Sequence, residues 1–104
     1  MEKIKVTTFL IGKLNRLVTV LYKKEYFGFL STSEKYVAKI YTFIYTIPSL
    51  PMRYCTNNNY GKYYAICKMN ANTTYYITYD FENEFYLVKN IFSNHEKEYA
   101  LFIK

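Results

Sequence analysis

The apolar residues of this chain change period once along its length, and that change limits the folds open to it. Leu10, Leu14, Leu17 and Leu21 recur at four, three and four residues, which places them on one stripe of a helix. A second stripe, Val37, Ile40, Tyr41 and Ile44, comes after Ser31 and Glu34, whose spacing is that of a capping box. Glycine in Tyr26-Phe27-Gly28-Phe29 separates the two, and Pro48 and Pro51 end the second. From Arg53 the helical period is gone. Tyr63-Tyr64-Ala65-Ile66-Cys67, Tyr75-Tyr76-Ile77-Thr78-Tyr79 and the run from Phe85 to Ile91 read as three strands. Asn70-Ala71-Asn72 and Glu82-Asn83-Glu84 link them, so consecutive strands must pair antiparallel.

Ile4 to Val6, alternating with Lys3, Lys5 and Thr7, suits a short first strand. His95 to Ile103 suits a short last helix, with Asn94 as its N-cap and Tyr99, Leu101 and Phe102 available to dock. The expected fold is therefore α+β: a short N-terminal strand, an antiparallel helical hairpin, a three-stranded antiparallel meander and a short C-terminal helix. Tyr75, Ile77, Tyr79 and Phe81 would face the leucine stripe, and Tyr76, Thr78 and Asp80 would lie on a wetter face.

Length and composition narrow the class. At 104 residues, 51% hydrophobic with 14 Tyr and 8 Phe, the chain reads as one domain, 1–104, that folds on its own. No apolar stretch approaches the roughly 20 residues that span a bilayer, because Lys13, Asn15 and Arg16 interrupt Phe9 to Leu21. Met-Glu-Lys-Ile-Lys at the N-terminus lacks the pattern of a signal peptide, so a cytoplasmic location is expected. Cys55 and Cys67 have no CxxC spacing and one His in the whole chain for company, so free thiols are expected, with no metal site and no cofactor. The net charge of +6 makes a polyanion or an acidic protein the natural partner.

The order of elements and several local stretches resemble the RelE/ParE superfamily of toxins from type II toxin–antitoxin pairs. Leu14 to Tyr26, with Leu-Asn-Arg-Leu and Lys-Glu-Tyr, resembles the first helix of that family, and Ser33 to Ile47, with Tyr36-Val37 and Phe43-Ile44, the second. Tyr60-Gly61-Lys62-Tyr63-Tyr64 resembles the opening of the family's meander, and Tyr86-Leu87-Val88 through Asn94-His95 its close. The resemblance implies a cognate acidic antitoxin as partner. In the RelE branch it further implies ribosome-dependent cleavage of messenger RNA, in which the ribose 2′-hydroxyl attacks the adjacent phosphate.

Under that resemblance His95 matches the end-of-strand acid or base, Lys68 a basic residue of the first meander strand, and Arg53 a further catalytic cation; Lys62, Lys68 and Arg53 would bind RNA. Imidazole titrates near neutrality and the cations offset phosphate charge, so these residue types suit the chemistry. Each also has an ordinary reading: His95 as a first-turn helix residue, Lys62 and Lys68 as solvated strand positions, and the tyrosines as core and cross-strand pairs. Where the ribonuclease branch begins its middle strand with an arginine, this chain has Thr73-Thr74-Tyr75. A ParE-like inhibitor of DNA gyrase, without nuclease activity, and a non-toxic interaction module of the same fold therefore stand as alternatives.

Overall fold

Backbone hydrogen bonding begins with a strand that cannot pair with its neighbour in sequence, because a helix comes directly after it. In the computed structural model, which describes residues 3–23, 30–56 and 59–97, β1 (Lys3–Val6) runs instead beside the far end of the chain, parallel to β5 (Phe85–Ser93), with Ile4 opposite Tyr86 and Val6 opposite Val88. Thr7 ends β1 and caps α1 (Thr8–Lys23): its Oγ1 accepts from the Leu10 N–H at 3.2 Å and donates to the Lys89 carbonyl at 3.2 Å. α2 spans Leu30–Ile44. Leu30 and Ser31 are already helical, so Ser31 stands inside the helix and not at its N-cap position. The glycine break at 26–29 lies outside the described residues. A short 3₁₀ turn over Ile47–Ser49, with Pro48 in its first positions, carries the chain away from α2.

Four further strands complete the sheet: β2 (Arg53–Tyr54), β3 (Tyr63–Lys68), β4 (Thr74–Glu82) and β5. Among the described residues the sheet has the order β1-β5-β4-β3-β2, and all pairs except β1 with β5 are antiparallel. The expected meander is therefore present, extended by β2, whose two residues are too few to leave a periodic signal.

The helices cover one face of this mixed sheet. Leu10 and Leu14 of α1, Val37, Ile40 and Ile44 of α2, and Tyr75, Ile77, Tyr79, Val88 and Ile91 of the sheet form one buried cluster, with Leu17, Leu21 and Phe81 packed at its margin. The leucine stripe and the strand face Tyr75-Ile77-Tyr79-Phe81 thus meet as the periodicity requires. Val88 and Ile91, three residues apart, share this face only because β5 is bulged: Thr78 pairs with Asn90 and Tyr79 with Val88, leaving Lys89 as the extra residue.

The opposite face departs from expectation at its centre. Thr78 is 0% exposed, since the segment leading into β3 crosses over β4. The Thr78 hydroxyl donates to the Tyr60 carbonyl at 2.9 Å, and the Lys62 N–H donates to Asp80 Oδ1 at 2.8 Å. Gly61 permits the crossing: its φ is 150°, and a Cβ there would sit 3.1 Å from the Tyr79 nitrogen. Cys55 and Phe92, with Tyr60, Tyr64 and Tyr76 against them, make a second small cluster on this side.

The β4–β5 turn stores strain that a substitution can release. Asn83 (φ 51°) and Glu84 (φ 66°) both adopt the left-handed conformation a two-residue hairpin turn demands. Asparagine tolerates it, whereas for other side chains it costs about 1–2 kcal/mol. Glu84→Gly should therefore stabilise the protein by about 0.5–1 kcal/mol, once the extra backbone entropy of glycine is subtracted. A urea midpoint that rises without a change in slope is the expected result; a midpoint that falls would show that the Glu84 side chain contributes more than its backbone costs.

Candidate functional site

Two polar turns at one end of the sheet are tied to each other by asparagine side chains. In the β3–β4 turn, Asn70 Oδ1 accepts from the N–H groups of Asn72 and Thr73 at 2.8 and 2.9 Å, and the Met69 N–H donates to the Thr73 carbonyl. Beyond β5, Asn94 bonds that turn and the strand after it. Its Oδ1 accepts from the Thr74 N–H at 3.0 Å, its Nδ2 donates to the Asn72 carbonyl at 3.2 Å, and its own N–H donates to the Thr74 carbonyl.

With its side chain spent in this way, Asn94 does not cap the turn that His95 enters. Ser93 does. The Ser93 hydroxyl accepts from the His95 N–H at 3.2 Å, while Glu96 Oε2 accepts from the Ser93 N–H at 2.7 Å, the reciprocal pattern of a capping box. The turn it starts is described as far as Lys97, so the expected helix to Ile103 lies largely outside the described residues.

This arrangement places His95 and Lys68 at the same end of the sheet. Lys68, exposed, closes β3 opposite Thr74. His95, also exposed, has its Nε2 3.5 Å from the Thr73 hydroxyl. The Lys68 backbone is held in the β3–β4 ladder and the His95 N–H by the Ser93 hydroxyl, which is the rigidity a reacting group needs.

The other two cations stand apart. Arg53 is on the edge strand β2 opposite Tyr64, four residues before Lys68 in β3, or roughly 13 Å along the strand. Cross-strand partners share a face, and Tyr64 and Lys68 point the same way, so Arg53 and Lys68 lie on the face turned from the helices. Lys62 precedes β3 near the Arg53 end, with its backbone anchored on Asp80 and its side chain exposed. Tyr64 and Tyr76, half-buried with ring centroids 6.2 Å apart, lie on this face as well.

The middle strand opens with Thr74, whose N–H is taken by Asn94, so no cation stands at that position. Sequence alone gives no reason to single out Thr73 or Asn70, or to assign Asn94 any role beyond capping, and only the spacing Ser93-x-x-Glu96 carries a readable signal for the turn.

The cysteines are unsuited to nucleophilic chemistry. Burial pushes the Cys55 thiol up to about 11, with the Asp80 carboxylate adding to the effect, and burial alone takes Cys67 to about 11. Tyr79, buried among Tyr63 and Tyr86, is pushed up to about 12. These groups are held neutral by the fold, while the unfolded chain releases the thiol protons from the ordinary value of 9.0. Their contribution is full below pH 9 and is lost as pH rises through about 11. The thermal midpoint should hold to pH 9 and fall steadily above it; a midpoint flat to pH 11 would mean that water reaches both thiols.

Among the described residues no three His, Cys, Asp or Glu side chains converge as a metal site, and no helix is long and apolar enough to cross a membrane. Comparison of the chain with protein-family models, with characterised proteins and with solved structures finds no match.

Proposed function

We propose that this chain is the toxin of a type II toxin–antitoxin pair, which cuts messenger RNA on the ribosome and is neutralised by a cognate acidic antitoxin. The observation that carries the reading is that exposed Lys68, at the end of β3, and exposed His95, just beyond β5, lie at the same end of the sheet, where the Asn94 side chain ties the β3–β4 turn to the segment after β5. In the reaction, the ribose 2′-oxygen attacks the adjacent phosphorus and the bond to the 5′-oxygen breaks. His95 takes the proton from the 2′-hydroxyl or supplies one to the departing 5′-oxygen, and the products are a 2′,3′-cyclic phosphate and a 5′-hydroxyl. Lys68 offsets the charge that grows on the phosphate, and Arg53 on β2 and Lys62 just before β3, toward the other end of the sheet, hold the RNA backbone. The net charge of +6 favours both RNA and an acidic antitoxin.

Thr74 at the start of the middle strand favours a second reading, a ParE-like inhibitor of DNA gyrase, because the position lacks the cation that a nuclease would use there. Inducing the gene in cells and mapping messenger RNA 5′ ends separates the two. Codon-phased cuts support the nuclease. Double-strand DNA breaks with intact transcripts support the gyrase inhibitor, and growth unaffected by induction overturns both in favour of a plain interaction module.

A further inference from the structure

Lys13 of α1 is spent on β5 and the turn beyond it. Parallel pairing with β1 ends at Val88, and Thr7 extends it only to the Lys89 carbonyl, so among the described residues no strand pairs with the edge of β5 beyond that point. Lys13 covers that edge. Its Nζ donates to the Ile91 carbonyl and to Asn90 Oδ1 (3.1 Å), lies 4.2 Å from the centre of the Phe92 ring, and stands 3.8 Å from Glu96 Oε1. The other Glu96 oxygen is the one that accepts from the Ser93 N–H, and Ser93 in turn holds the backbone N–H of His95. A continuous polar path therefore runs from α1 through Glu96 and Ser93 to His95.

We propose that Lys13, acting through Glu96, is a positioning residue that fixes the 93–97 turn and thereby holds the His95 imidazole beside Thr73. The role rests on the assignment of His95 made above, but the geometry it asserts does not. Asn94 grips the turn from the sheet side and Glu96 from the helix side, so His95 lies between two anchors. An exposed ion pair alone contributes little to holding a turn. Here the ammonium is also held on β5 by the Ile91 carbonyl and the Asn90 side-chain oxygen, which fixes the place where it meets Glu96.

The chain has a single histidine, so one imidazole signal in the NMR spectrum of the full-length protein reports on the site. In Lys13→Met, which keeps the apolar stem and the helix, the imidazole should lose its proximity signal to Thr73 and move to the position of an unrestrained histidine, with the β4 amide pattern unchanged. Lys13→Arg, which can reach the same carboxylate, should restore the signal. Messenger RNA cleavage should fall by about 10- to 100-fold in Lys13→Met, the scale of a misplaced reacting group. Should Lys13→Met not fold, Glu96→Ala cuts the path within the turn itself and should release the imidazole in the same way. An imidazole signal unchanged in a folded Lys13→Met or Glu96→Ala overturns the proposal. If the unaltered protein cleaves no RNA but its imidazole is released by these substitutions, the nuclease reading fails and the positioning of His95 by Lys13 stands.

Discussion

His95→Ala should lower codon-phased cleavage of ribosome-bound messenger RNA by about 10²-fold or more, the scale of a lost general acid or base. The same substitution should leave the urea midpoint nearly where it was. His95 is exposed, and the bond that fixes its backbone is made by its N–H to the Ser93 hydroxyl, which alanine keeps. A stability change beyond about 0.5 kcal/mol would be out of scale for a surface residue of this kind. Joint measurement is decisive, because a variant that has lost both activity and fold says nothing about chemistry. Lys68→Ala should also slow cleavage, through charge and without proton transfer, and Arg53→Ala should weaken RNA binding more than turnover, since Arg53 is on the neighbouring strand β2, opposite a residue roughly 13 Å from Lys68 along β3. In a gyrase inhibitor His95→Ala would be harmless, and DNA breaks would persist.

The range of each interaction decides whether it can be read from the sequence. The leucine stripe and the three aromatic strands are local patterns, and both appear where the periods place them. The parallel pairing of β1 with β5 joins residues about 82 positions apart, as the Thr7–Lys89 bond illustrates, and no window of sequence contains it. The bulge at Lys89 is likewise invisible: Val88 and Ile91 have the wrong spacing for one face of a regular strand, and only the register with β4 shows how both become buried. Alternation puts Thr78 on a wet face, because it says which way a strand residue points but not what crosses above it. At the candidate site, His95 and Lys68 can be named by residue type and by resemblance, whereas Thr73, Asn94 and Lys13 matter through bonds made across the sheet. Ser93 and Glu96 have capping-box spacing, yet Asn94 is as good an N-cap by residue type until the β3–β4 turn is seen to claim its side chain.

Leu14→Ala should cost about 2–5 kcal/mol, the loss expected of a fully buried residue of the leucine stripe. Leu14 is 0% exposed and belongs to the cluster that joins both helices to the sheet, alongside Ile40, Ile44, Ile77 and Val88. Truncation removes three carbons from that interior, and the cavity persists because the β4 and β5 backbones on one side are fixed by their ladder. Leu17, three residues on, is only partly buried at the cluster margin, where it lines a groove of about 330 Å³ with Lys13, Arg16 and Ile91. Leu17→Ala should therefore lie at or below the lower end of that range, since solvent and neighbouring side chains can occupy the space. Chains of this size have a total stability of about 5–15 kcal/mol, so Leu14→Ala consumes a large share and should lower the thermal midpoint by about 4–8 °C for each kcal/mol lost. Equilibrium urea unfolding of the two variants side by side gives the ratio directly. Equal losses, or a Leu14→Ala loss under about 0.5 kcal/mol, would mean that α1 does not sit on the sheet through this stripe. In that case Lys13, one residue before Leu14, could not reach the edge of β5 either.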